Sequence, residues 1–316
     1  MSELPDVLEL HNGPWRWPAG KTTISYSFLA AGELPSYYVT AFGTPAQGDK
    51  YYNVTPFSGA QEAIVESQFR YIESIIPIRF EEAQAGTLGD MTFGFADPGT
   101  GNSRTGEGYL AGGGGGDLQG DVWIFHGHGM EGASGTLFAW LTLHEITHTL
   151  GLEHPMDDGD GNGNPQQGYF FTDFQDSTQF SILSYKGHPN NWNNNPSSLA
   201  LYDIAELQLI YGRNTNADPL LGPVGAGVGK DDLYGKGGTI DWGNDDIPFA
   251  CIYDGGINDF DTLSAAGMSA PAIIDLREGR FSSITNKAQD FSWEDGKSAD
   301  NVSIAFLTEI EGAVGS

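Results

Sequence analysis

The chain has 316 residues, of which 42 are acidic and 14 basic, giving a formal charge of −28 at pH 7 with the histidines neutral. That balance repels nucleic acid and anionic membrane surfaces, and no run approaches the ~18 consecutive apolar residues of a spanning helix, so neither partner is expected. The length points to two domains, and Cys251, the single cysteine, excludes an internal disulfide framework.

In chain order, "MSELPDVLELHNGPWRWPAG" lacks the basic start and apolar run of a Sec signal peptide, and residues 1–20 read as an N-terminal lead or propeptide-like segment. "KTTISYSFL" (21–29) alternates and is rich in β-branched and aromatic residues, a strand pattern. The stretch 58–76 predicts an amphipathic helix: Ser58 is the N-cap, Glu62 lies in the first turn, Ile64, Val65, Phe69, Ile72 and Ile76 share a face, and Pro77 stops it. "IRFEEA", "DMTFGFA" and two segments flanking the glycine run of "GYLAGGGGGDLQGDVWIFH" supply further strands. A second helix covers about 136–150, with Leu137, Trp140, Leu141 and Leu143 expected in the core. A loop-rich stretch, about 155–197, leads to a third helix over 198–212 that ends in glycine. From Arg213 helical periodicity vanishes, and short segments such as "DDLYG", "PAIIDLREG" and "NVSIAFL" alternate with turn residues. The expectation is an α+β chain: a domain over 21–212 with a mixed, mostly parallel sheet and three main helices, then an all-β domain over 213–316.

The chemistry concentrates in "LTLHEITHTLGLEHP" (141–155). His144 and His148 are four apart on a helix, so both imidazoles reach one ion from one face. Glu145 lies one step round, beside the ion without ligating it, where it can deprotonate a metal-bound water. Gly151 permits a left-handed turn that reverses the chain, and His154 can then return as a third ligand. The added glycine and histidine cut the chance of an accidental match by a factor of roughly 400. Three imidazoles and one open position are the ligand set of a catalytic Zn²⁺, since a structural site closes with four protein ligands.

These residues resemble the metzincin motif, and "GLEHP" its form in the serralysins, secreted bacterial metalloproteases. "QFSILSYK" resembles the family's Met-turn, but Leu183 stands where the methionine would be, a swap that usually costs under ~1.5 kcal/mol. The resemblance makes Tyr185 a displaceable zinc ligand and oxyanion donor. It implies zinc-dependent hydrolysis of protein or peptide substrates with broad specificity, the strand near "GEGYLAG" pairing with an extended substrate backbone. It also implies a C-terminal domain that begins a calcium-binding β-roll, with Asp254, Gly256, Asp259 and Glu311 as approximate Ca²⁺ ligands; Asp261 competes with Asp259. The tandem GGxGxDxUx repeats do not appear before Ser316, leaving a truncated form and a shortened roll both open. By the same resemblance, secretion through a type I, C-terminal-signal route is expected; separately, the chain is expected to be a monomer.

Other signals are weaker. "DDGDGNGN" (157–164) starts like an EF-hand at Asp158, Asp160, Asn162 and Gly163, but Tyr169 replaces the bidentate glutamate, so a solvated loop is preferred. His126 and His128 read as polar loop residues, and His11 and His188 carry no partner signal. The competing function is a calcium-binding β-roll or adhesion-type module with a weak or inactive protease domain.

Overall fold

The computed structural model describes residues 16–112, 116–132, 135–155, 175–189, 195–214, 231–241, 249–255, 260–285 and 300–316. The Asp158–Tyr169 motif, Gly256, Asp259 and His11 lie outside them. Two compact units emerge, one from His11–Phe69 and Ile78–Glu153, the other from Arg70–Pro77 and His154–Ser316.

The first unit is built on five strands: β1 (Thr23–Phe28), β2 (Arg79–Glu82), β3 (Met91–Ala96), β4 (Gly106–Gly108) and β5 (Val122–Phe125). They run in the order β2-β1-β3-β5-β4. All neighbours are parallel except β4, which pairs antiparallel with β5 in the register Gly106↔Ile124, Glu107↔Trp123 and Gly108↔Val122. β3 is buried at all six positions because both faces of the central sheet are covered. Phe69 fills one side, stacked on Phe80 at 4.3 Å and tilted against Tyr26 at 4.7 Å. A second buried cluster joins Leu29, Tyr38, Tyr51, Val54, Trp123 and Phe125. There the Trp123 indole N–H donates to the Tyr38 hydroxyl at 2.6 Å.

Four α-helices lie among the described residues: α1 (Ser36–Phe42), α2 (Gly59–Ile75), α3 (Thr136–Thr149) and α4 (Leu201–Tyr211). α1 was not foreseen; it is a single aromatic-rich segment of seven residues after Pro35, too short to show a helical period. Ser58 does start α2: its hydroxyl accepts the Gln61 N–H at 3.4 Å while the Gln61 side-chain oxygen accepts the Ser58 N–H at 2.8 Å, a reciprocal cap. α3 is buried from Leu141 to Thr149. Leu137 departs from expectation: it is exposed at the first turn, and Phe138 takes the core position. α4 stops at Gly212, whose φ of +86° is left-handed.

Beyond residue 230 the strands shorten to two or three residues: β6 (Leu233–Tyr234), β7 (Ala250–Ile252), β8 (Thr262–Ser264), β9 (Phe281–Ser282), β10 (Val302–Ile304) and β11 (Gly312–Val314). They form two three-stranded sheets, β7-β10-β9 and β11-β8-β6. The second sheet is wholly parallel, and the first is mixed. Cys251 is buried in β7, and burial pushes its thiol up to about 12, which leaves it an inert small apolar residue. Among the described residues no helix is long and apolar enough to cross a membrane.

Candidate metal centre

α3 carries His144 and His148 one turn apart, both buried, with ring centroids 4.9 Å apart and planes at 80°. Their Nε2 atoms lie 3.2 Å from each other. Leu150 caps the helix, and Gly151 follows at φ +104°, its N–H donating to the His148 carbonyl at 2.9 Å. That conformation strains any L side chain, so glycine is what lets the chain turn here. The turn brings the Leu152 carbonyl to 2.7 Å from His148 Nδ1. An N–H at Nδ1 donates to it, which fixes the tautomer and leaves the Nε2 lone pair to act as a ligand.

His154, half-buried and six residues beyond His148, completes the set: one ligand nitrogen from each histidine lies within 4.8 Å of the other two. Tetrahedral zinc at about 2.0–2.1 Å from each nitrogen holds them about 3.3–3.4 Å apart. The His144–His148 spacing matches that edge, and an all-imidazole donor set suits zinc rather than calcium or magnesium. The residues present therefore fit the ion.

Glu145 is buried beside His144. Burial first, and the nearby Glu107 carboxylate second, push its carboxyl up to about 8, against the Gly108 N–H that donates to it and the charge of Arg104. β4 crosses α3 tightly at this point. A Cβ on Gly106 would sit 2.6 Å from Glu145 Oε1, and one on Gly108 would collide with the Glu145 backbone carbonyl. In the sequence these two glycines mark only a strand; the antiparallel register that aims them at Glu145 leaves no mark locally.

Tyr185 is exposed at 67% and packs its ring 4.4 Å from that of His154. The segment before it is pinned on both sides. Asp203 of α4 accepts the Ser181 hydroxyl at 2.7 Å through Oδ1, and the Ile182 and Ala200 N–H groups at 2.8 Å through Oδ2. Asp176 accepts the Ser184 hydroxyl at 2.7 Å and pairs with Lys186 at 2.8 Å. Leu183 is fully buried inside this turn. Neither aspartate was singled out in sequence. Asp203 at the third position of a helix could have been, as an N-terminal acidic residue.

A second group offers oxygen ligands: buried carboxylates of Asp232, Asp254 and Asp261 lie within 4.8 Å of one another. The Tyr234 hydroxyl donates to Asp254 Oδ2 at 3.0 Å, the Asp232 N–H to Asp261 Oδ1 at 2.8 Å, and the Asp261 N–H to Glu311 Oε2 at 2.7 Å. Of the four residues expected to ligate calcium, Asp254 is in the group and Glu311 supports Asp261. Asp232, in "DDLYG", joins the group although no motif marks it in the sequence. Two of the remaining histidines have structural partners: His126 faces Glu131 at 3.2 Å and the Asn53 carbonyl at 3.0 Å, and buried His188 faces the Asp300 carbonyl at 3.1 Å.

No family model matches the chain. Serralysin of Proteus mirabilis is 33% identical over 214 residues, which are 63% of this chain and 38% of that protein. Metalloprotease AprA of Pseudomonas entomophila is 29% identical over 316 residues, 94% of this chain and 57% of the relative. Serralysin G of Dickeya chrysanthemi is 29% identical over 307 residues, with 92% and 57% covered. The chain thus spans between about two fifths and three fifths of these relatives. Over most of its own length it resembles serralysin-type metalloproteases.

Proposed function

We propose, from this kinship and from the three converging imidazoles, that the protein is a secreted zinc-dependent endopeptidase of broad specificity. The observation that carries the reading is the group His144, His148 and His154 with Glu145 buried beside it. His144, His148 and His154 would hold one Zn²⁺, with Tyr185 as a displaceable further ligand. Zinc, when bound, supplies a Lewis acid that polarises a scissile carbonyl and acidifies water. Glu145 takes a proton from the attacking water and passes it to the departing amine nitrogen. The Tyr185 phenol, exposed beside His154, donates a hydrogen bond to the oxyanion.

Catalysis is assigned to residues 21–212, and residues 213–316 to a C-terminal β domain that begins a calcium-binding β-roll. Its Ca²⁺ ligands include Asp254 and, on the geometry of the buried carboxylates, Asp232 and Asp261. Asp259, Gly256 and Glu311 stay proposed on resemblance alone. Protein or peptide substrates, a monomeric state and type I export complete the proposal.

A casein digestion with and without a zinc chelator tests it, run beside Glu145→Ala. Cleavage that is lost to the chelator, restored by added zinc and absent from the variant is the expected result. Cleavage that survives the chelator, or none in the zinc-loaded protein, overturns it.

A further inference from the structure

Among the described residues β4 is the outermost strand of its sheet, with β5 as its neighbour there. The Phe125 N–H donates to the Thr105 carbonyl at 2.8 Å and the Tyr109 N–H to the Asp121 carbonyl at 2.9 Å. Residues 105, 107 and 109 therefore direct backbone groups at β5. In an antiparallel ladder the residues between them direct theirs the opposite way, which turns the Gly106 and Gly108 carbonyls to the outer edge. An extended peptide can add there as a further strand.

Side-chain positions alternate along β4. Those of Gly106 and Gly108 face Glu145, so Glu107 faces the other side of the sheet. Its carboxylate is already engaged: Oε1 takes Arg104 Nη1 at 3.2 Å, and Oε2 takes the Tyr51 hydroxyl at 2.8 Å and the Lys50 ammonium. Two cations meet on this one carboxylate in a chain of charge −28. Lys50 is held, its ammonium 4.7 Å from the Tyr51 ring centroid. Arg104 is the open member, with 60% of its side chain exposed.

We propose that the peptide residue lying across from Glu107 is selected for an acidic side chain, and that Arg104 is the residue that selects it. The proposal rests on the endopeptidase reading. Directly opposed residues on neighbouring strands have Cβ atoms about 4.5–5.5 Å apart on one face, so that side chain comes down beside the Arg104 guanidinium. A carboxylate there meets a planar fork of donors. A basic side chain meets two cations before it reaches a carboxylate that is already bonded.

The test is cleavage of a randomised peptide library by the zinc-loaded full chain, with products sequenced to give the preference at each position around the cut. Acidic residues should be enriched about two- to fivefold at one position, the size of an exposed ion pair. The enrichment should fall toward unity in high salt. Arg104→Gln should abolish it and Arg104→Glu should reverse it to a basic preference, each read as an acidic-to-neutral ratio within one variant. A wild-type profile with no acidic preference, or one that Arg104→Glu leaves unchanged, overturns the inference while leaving the peptidase reading intact. No cleavage by wild type at all overturns both, and the salt series decides the matter even if a variant fails to fold.

Discussion

At the scale of single residues, Glu145 and the two glycines above it separate chemistry from scaffolding. Glu145→Gln should keep the three imidazoles and lose about two to four orders of magnitude in kcat, the usual yield of general acid–base catalysis. Metal content measured on the same sample checks that zinc is retained. Gly106→Ala sets a methyl group 2.6 Å from Glu145 Oε1, at the end of a side chain that can swing aside. The fold should therefore survive while kcat/KM drops at least about tenfold. Gly108→Ala meets backbone instead, and thermal denaturation should show a marked loss of stability. The three-histidine group was legible because a helix fixes which residues four apart share a face, and Gly151 bears out the predicted reversal with its φ of +104°. Arg104, Glu107 and the glycine pair were not, because their meaning comes from strand register, which pairs residues distant in the chain.

Among the elements, the turn from Ser181 to Lys186 depends on one buried carboxylate. Asp203 accepts three hydrogen bonds, one of them from the Ala200 N–H at the start of its own helix. Asp203→Ala should cost about 2–4 kcal/mol in chemical denaturation, since it strands buried donors and removes a helix cap together. Leu183→Met, by contrast, keeps volume in a fully buried site and should shift stability by less than about 1.5 kcal/mol. Helix signals survived translation into structure where periodicity was long: α2 and α4 lie within one to three residues of their expected bounds. The short α1 gave no period to read, and Leu137 fell on the solvent side because its neighbour Phe138 takes the core position in the first turn of α3. The three-aspartate group beyond residue 230 gathers side chains from positions 232, 254 and 261, a convergence that no local spacing announces.

For the molecule as a whole, buried carboxylates contribute to the response to pH, and Asp121 is one that lies away from the histidine group. Asp121 accepts the Thr92 hydroxyl at 2.7 Å and the Tyr37 hydroxyl at 2.9 Å, and burial raises its pKa to about 7. Its ordinary value is 3.8, so between the two the folded state binds more protons than the unfolded state. Stability from this group is full below about pH 4 and is lost as pH rises through 7, by on the order of 4 kcal/mol. Denaturation of wild type against Asp121→Asn from pH 4 to 8 should show the variant's relative stability improving as pH rises; a constant difference would exclude the linkage. The composition made an acidic protein legible, but which of its 42 acidic residues titrates abnormally depends on burial that only the fold determines. The central claim is a single zinc held by three histidines, and elemental analysis of the purified full chain and of His148→Ala addresses it most directly. One zinc per wild-type chain, with a large fall in the variant, is expected; wild type without zinc after incubation with the metal, or a variant that binds it equally well, would contradict it.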